Sequence, residues 1–398
     1  MRTSKLVLLT VFLVVPSLSA AFSSNVEPQI MSKAAAVYDF ETGTLLYQKN
    51  GDIRIPPASM TKLMTLHLTY RAIEEGLLNL DTRIKVEAGD DFSNMPRRSS
   101  LMFIEEGQEV SVLQLMRGLA VPSGNDAAHM LARVVSGSVE EFVEEMNREA
   151  EKMGYDNIHF EDPAGLSAQS YVTAKEFGLF CLDYIRSHPD SLELLHSQEE
   201  FIYPTAKILQ EGAHSSYGPI TQENYNILIG RHPWVDGLKT GYIDESGYNI
   251  ALTATAGDRR VVTVILGGPG ENIREGAFTR AIDGVNLLSY GFYHFTRVEP
   301  KFPSLQELRV WGGTRKTVHP QLHAPEALVL PLDVAATLEV RHELDLPLSA
   351  PLMGGEEIGR TLITSGQKDI RSYPILIKEP VEEGTWWQQL ADSLLQLR

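Results

Sequence analysis

Strand-forming runs lie at both ends of a long helical stretch, and this restricts the available folds more than any other feature. "AAAVYDFETGTLLYQK", residues 34–49, has β-compatible residues on either side of Glu41-Thr42-Gly43 and reads as a hairpin. From Pro56 to about Gly230 the pattern is mostly helical. "TKLMTLHLTYRAIEEG" stops at Gly76 and "VEEFVEEMNREAEKMG" at Gly154, each a glycine where a helix would end. Strand patterns then return in "VDGLKTGYI", "GYNIALTAT" and "RRVVTVILGG", the last two joined by Ala256-Gly257-Asp258. A helical run, "REGAFTRAIDGVNLLSYGFYHF", follows. Sheet elements from both ends thus bracket a helical insertion, which predicts an α+β domain built on one antiparallel sheet of mixed origin.

The texture changes after about Val298. "LRVWGG", "ALVLPL", "TLEVRHEL", "RTLIT" and "YPILIK" are short runs separated by Pro and Gly, as in a small all-β domain. In "GTWWQQLADSLLQLR", Trp386, Leu390, Leu394 and Leu397 fall on one face of an amphipathic helix. The expected organisation is a first domain at 22–297, a β-rich domain at 298–380 and a terminal helix at 381–398. Two tryptophans suit a membrane interface, although only Arg398 is basic there while Glu382, Glu383 and Asp392 are acidic.

The first 21 residues, "MRTSKLVLLTVFLVVPSLSAA", join a basic start to an apolar run and small residues, the layout of a secretory signal too short to span a bilayer. Export to the periplasm or the outer face of the cytoplasmic membrane is therefore expected. Cys181 is the only cysteine, so no internal disulfide can form, and its apolar helical setting predicts buried filler. A net charge of −17 argues against nucleic acid as a partner. The eleven histidines are scattered without an H-E-x-x-H pattern, and neither a metal nor a cofactor is expected.

Three short motifs carry the chemistry. "PPASMTKLMT" puts Ser59 and Lys62 three positions apart near a predicted helix start, where the serine N–H lies among unpaired donors. A lysine whose ammonium form is disfavoured can take the hydroxyl's proton. "VPSGNDAA" supplies Ser123 as a proton relay and Asn125 as an amide able to hold both a lysine and a peptide group. "VDGLKTGY" places Lys239, Thr240 and Gly241 on a predicted strand. There a second cation and a hydroxyl can meet a carboxylate, and the glycine leaves room for an extended peptide. Single matches mean little, since Ser365-Gly366-Gln367-Lys368 repeats the first pattern and Ser23-Ser24-Asn25 repeats part of the second. Asp126, beside the second motif, reads as a helix-start cap.

Taken together in this order, the motifs are those of the serine β-lactamases and penicillin-binding proteins. From about Ser32 to Phe295 the chain resembles the D-alanyl-D-alanine carboxypeptidases, low-molecular-mass penicillin-binding proteins of the serine peptidase type. The tail after Val298 resembles the extra C-terminal domain of the same group. The resemblance implies a penicillin-binding, β-lactamase-like transpeptidase fold followed by a small all-β domain. It implies Ser59 as acylated nucleophile, Lys62 as general base, and Ser123 and Asn125 as proton shuttle and acyl-group holder. Lys239 and Thr240 would bind the terminal carboxylate, with an oxyanion hole from the N–H groups of Ser59 and Tyr242. The substrate would be the peptidoglycan stem pentapeptide, and β-lactams would be covalent inhibitors. Relatives often carry histidine at the position of Tyr242, and an arginine within Asn224-Tyr225-Asn226, so an arginine contact from that turn is not expected here. Exported relatives often end in a membrane-surface helix, so peripheral contact through the last helix is expected too. A β-lactamase or an endopeptidase could use the same site, and a non-catalytic binding protein could keep the fold. The first normally needs an E-x-x-x-N loop, whereas "EDPAGLSAQSY" offers only Glu161 and Asp162.

Overall fold

The computed structural model describes residues 27–210, 214–325 and 327–396. The expected signal segment, residues 1–21, lies outside the described residues. Strands β1 (Ala34–Asp39) and β2 (Leu45–Lys49) form the hairpin, and β3 (Val235–Ile243), β4 (Gly247–Ala256) and β5 (Arg259–Gly268) form the later meander. They join in one antiparallel sheet of order β2-β1-β5-β4-β3. The register Ala36↔Val264 and Val37↔Thr263 closes the sheet between the distant chain segments.

Both faces of this sheet are covered, and the period of two shows it. Ala34, Ala36, Tyr38, Val262 and Val264 pack into the helical insertion, while Ala35, Val37, Val261 and Ile265 pack on the other side with Leu287 and Leu288. The insertion contains α1 (Lys62–Glu74), α2 (Val112–Ala120), α3 (Asn125–Ser136), α4 (Val139–Lys152) and α5 (Ala174–Ser187). Helix α6 (Ile273–Tyr293) lies on the opposite face. Gly276, Gly284 and Gly291 bring α6 close, since a Cβ there would run into Tyr248, Leu252 and Val261 respectively. Helix stops fall where expected: Gly76 has φ +76° and Gly154 φ +84°. Cys181 is fully buried on α5.

The β-rich tail begins with β6 (Phe295–Val298), β7 (Leu308–Trp311), β8 (Leu328–Pro331) and β9 (Leu338–Leu344). It continues with β10 (Glu357–Ser365), β11 (Lys368–Ile377) and a terminal helix α7 (Trp386–Gln396). Strands β6 and β8 pair across the 297/298 point, and Val329 joins the cluster that holds Phe295 and Leu287. Residues 381–383 are extended and bridge to Leu352 and Gly313, so the helix begins only at Trp386. Asp392 is buried against the tail, accepting from Lys316 Nζ at 2.8 Å and the Gly312 N–H at 2.8 Å. Trp386, Trp387, Leu390, Leu394 and Leu395 remain exposed, and Leu397 lies outside the described residues.

Candidate active site

The segment carrying Ser59 is tighter than the helix expected from sequence. Residues Ala58–Thr61 form a 3-10 turn that runs into α1 at Lys62, whose N–H donates to the Ser59 carbonyl. With three residues per turn, positions i and i+3 eclipse, so the turn stacks the Lys62 side chain over Ser59. Ala58 enters the turn at φ +51°, a left-handed conformation costing on the order of 1 kcal/mol for a residue with a Cβ. Asn249 of β4 steadies the approach by donating to the Pro56 carbonyl at 2.9 Å.

Lys62 is the centre of the site. It is fully buried, and its Nζ lies 2.9 Å from Ser59 Oγ, 2.7 Å from Asn125 Oδ1 and 2.7 Å from the Ala164 carbonyl. Burial lowers its pKa to about 7, although Asp162 and Asp126 pull the other way. Neither carboxylate is bonded to the amine. Asp162 accepts the N–H groups of Ala164, Gly165, Leu166 and Ser167, which fixes the loop that presents the Ala164 carbonyl. Thr65 Oγ1 ties that loop to α1 by donating to the Pro163 carbonyl at 2.7 Å.

The second motif sits at the start of α3. Ser123 has φ +63°, is buried, and its Oγ has no hydrogen-bond partner among the described residues. Asp126 is not the cap expected from sequence. The capping position belongs to Gly124, and Asp126 reaches across to accept from the Met102, Phe103 and Ile104 N–H groups as well as from Ala127. It thereby pins the 102–104 loop beside the motif.

The third motif lies on β3, an edge strand of the sheet that pairs only with β4. Lys239 and Thr240 are buried, and Lys239 Nζ donates to the Thr240 carbonyl at 3.2 Å. Burial, then the neighbouring cations Lys62 and Arg280, hold Lys239 well below an ordinary lysine. Gly241 packs against the nucleophile turn rather than facing open space. Tyr242 is exposed, stacks on Tyr248 at 4.3 Å and donates its hydroxyl to Asp244 at 2.6 Å, which raises its pKa to about 12.

The structure thus brings Lys62 against Ser59 and Asn125 and seats Gly241 of the third motif against the Ser59 turn, while the Tyr242 side chain turns outward to Asp244. The decoy Ser365 and Lys368 instead pair across the β10–β11 turn, with the Ser365 hydroxyl bonded to Thr337. Sequence reasoning missed the Ala164 carbonyl, the anchoring role of Asp126, and Arg280. The first is a backbone atom with no sequence signature, and the last lies unmarked in the α6 pattern. Among the described residues no cluster of His, Cys, Asp and Glu could hold a metal ion.

An antiparallel sheet with a helical insertion, a serine beside a depressed lysine and a second lysine on the edge strand form the framework shared by the penicillin-binding proteins and the serine β-lactamases. The chain belongs to the D-alanyl-D-alanine carboxypeptidase family of serine peptidases, whose model matches residues 21–270. A second model, the C-terminal domain of penicillin-binding protein 5, matches residues 301–383. The D-alanyl-D-alanine carboxypeptidase DacC of Escherichia coli is 31% identical, covering 96% of this chain and 92% of its own. DacA of Haemophilus influenzae is 30% identical, with 99% and 97% covered. Among solved structures, penicillin binding protein 5 from Haemophilus influenzae superposes with a TM-score of 0.74 at 30% identity, covering 90% of this chain and 99% of that one. Penicillin-binding protein D2 from Listeria monocytogenes, in its ampicillin-bound form, gives a TM-score of 0.54 at 29% identity, covering 67% and 99%.

Proposed function

We propose that this D-alanyl-D-alanine carboxypeptidase works through a Ser59 acyl-enzyme, with Lys62 as its base. The observation that carries this reading is the set of acceptors around Lys62. A neutral amine has two N–H donors and one lone pair. Two carbonyl oxygens, Asn125 Oδ1 and Ala164 O, can take both donors. The lone pair is then left for the Ser59 O–H at 2.9 Å. When Ser59 Oγ attacks the carbonyl carbon of the penultimate D-alanine, its proton passes to Lys62, and the new ammonium keeps all three partners. The backbone N–H groups of Ser59 and Tyr242 meet the developing oxyanion. As the tetrahedral centre collapses, the proton taken up by Lys62 passes through Ser123, whose hydroxyl is otherwise uncommitted, to the departing D-alanine amine, which returns Lys62 to its neutral form. Lys239 and Thr240 hold the terminal carboxylate. Water then hydrolyses the ester and regenerates Ser59. A β-lactam ring opens by the same attack but releases no leaving group, so it stays attached.

The carboxylates of the 161–162 loop favour the carboxypeptidase over a β-lactamase. Both oxygens of Asp162 are occupied by loop N–H groups, and Glu161 pairs with His159 at 2.7 Å, so neither is hydrogen-bonded to Ser59 or Lys62. The test is Ser59→Ala: release of D-alanine from a pentapeptide and covalent labelling by a fluorescent penicillin should both vanish. Labelling that persists in this variant would refute the assignment.

The proposed organisation is a catalytic domain at 22–297, a β-rich domain at 298–380 and the terminal segment 381–398, exported by the first 21 residues. No helix among the described residues is long and apolar enough to cross a membrane. The exposed apolar side of α7 supports contact with the membrane surface, and export would put the enzyme beside peptidoglycan.

A further inference from the structure

Arg280 is a buried cation with no carboxylate partner among the described residues. Its side chain faces backbone carbonyls instead: Nη1 donates to Gly241 O at 3.3 Å and to Asn249 O at 3.4 Å, and Nη2 to Tyr225 O at 3.1 Å. These oxygens come from three segments: the third motif on β3, the neighbouring β4, and the 224–226 turn. The guanidinium also lies 5.9 Å from the centroid of Tyr248, whose ring stacks on Tyr242. One turn earlier on the same face of α6, Gly276 packs against the same ring, leaving no room for a Cβ.

Burying an unpaired charge costs stability, and an apolar side chain of similar volume is often tolerated better at such a position. A planar guanidinium, however, carries five donors in a rigid fork against three on a freely rotating ammonium, so it can hold carbonyls from separate segments at fixed angles. We propose that Arg280 is a positioning residue: it clamps the third-motif strand, its neighbour and the 224–226 turn into one unit and so sets the sheet edge against which the substrate lies. This rests on the acyl-enzyme reading above. The carbonyl of Gly241 is one residue from the Tyr242 N–H and two from Lys239, so a loose Gly241 displaces the carboxylate and oxyanion contacts together. Small misplacements of such groups reduce rates strongly.

The experiment compares Arg280→Met and Arg280→Lys with the parent by active-site titration and stopped-flow acylation with a fluorescent penicillin. A residue that only stabilises the fold lowers the labelled fraction but leaves the rate constant per labelled molecule unchanged. A positioning residue lowers the rate constant itself. The expected result is at least a tenfold fall in the second-order acylation constant for Arg280→Met. Arg280→Lys, which can reach fewer carbonyls, should show a smaller fall, and both should show a raised KM for a D-alanyl-D-alanine peptide. If Arg280→Met does not fold, Arg280→Lys alone decides. Rate constants within twofold of the parent in the folded variants would overturn the inference. Labelling of Ser59→Ala in the same assay would instead overturn the nucleophile assignment, so the two failures are distinguishable.

Discussion

Gly241 lies so close to Pro57 that a Cβ added to it would sit 2.5 Å from the Pro57 carbonyl oxygen and 3.2 Å from the Met60 nitrogen. The third motif and the nucleophile turn are therefore in direct backbone contact. The glycine is needed for this contact, whereas the sequence alone suggested that it made room for substrate. Since the obstructing atoms are backbone on a buried turn, Gly241→Ala must push β3 and residues 57–60 apart. The expected cost is about 1–3 kcal/mol of stability, with a loss of at least a hundredfold in acylation, because Lys239 moves away from Ser59. Thermal melting and penicillin-binding kinetics on the same variant check both.

With Lys62 as the proposed base, its depressed pKa should set the pH dependence of acylation. Only the neutral amine can accept the serine proton, and its pKa stands at about 7. Below that value the ammonium form dominates, so the acylation rate should fall about tenfold per pH unit on the acid side and level off above it. A rate that stays flat from pH 5 to 8 would exclude Lys62 as the base.

Lys239 should behave in the opposite sense when substrate arrives. Burial and the adjacent cations Lys62 and Arg280 keep its proton affinity low in the empty site. A carboxylate placed beside it raises that affinity, so binding should take up a proton. Calorimetry on Ser59→Ala with a D-alanyl-D-alanine peptide, in pairs of buffers of different ionisation enthalpy across a pH series, measures the uptake. The affinity should weaken as pH rises. An identical heat in both buffers of every pair would contradict this.

Helix α7 is docked by a polar contact while its apolar residues face out. Asp392 is held by Lys316 and the Gly312 N–H, with Arg309 3.4 Å away, whereas Trp386, Trp387 and Leu394 are each more than 60% exposed. Membrane contact through this face would be apolar rather than electrostatic. Trp386→Ser combined with Trp387→Ser should reduce co-sedimentation with zwitterionic vesicles at least tenfold, and anionic lipid should not strengthen binding. Equal partitioning of the parent and the double variant would remove the membrane role.

The chemistry-bearing residues were legible because their surroundings are local. Ser59 and Lys62 share a turn, Ser123 and Asn125 a helix start, and Lys239 to Tyr242 a strand, each with its own periodicity or punctuation. The hairpin and the meander were legible for the same reason, since alternation and turn residues mark them. The 3-10 form of the nucleophile turn was not, because a contact with Gly241, distant in the chain, bears on it. Asp126 read as a cap because its position resembles one, whereas its partners are the backbone N–H groups of Met102 to Ile104.

The order of side-chain types along the chain was enough to determine the fold class and the family, and to point to three short motifs as the proposed reacting groups. Tertiary structure alone decided which backbone oxygens surround the lysine, why the motif glycine is needed, and what the buried arginine grips. Main-chain atoms are the same in every residue, so their meetings leave no mark in the order of the amino acids.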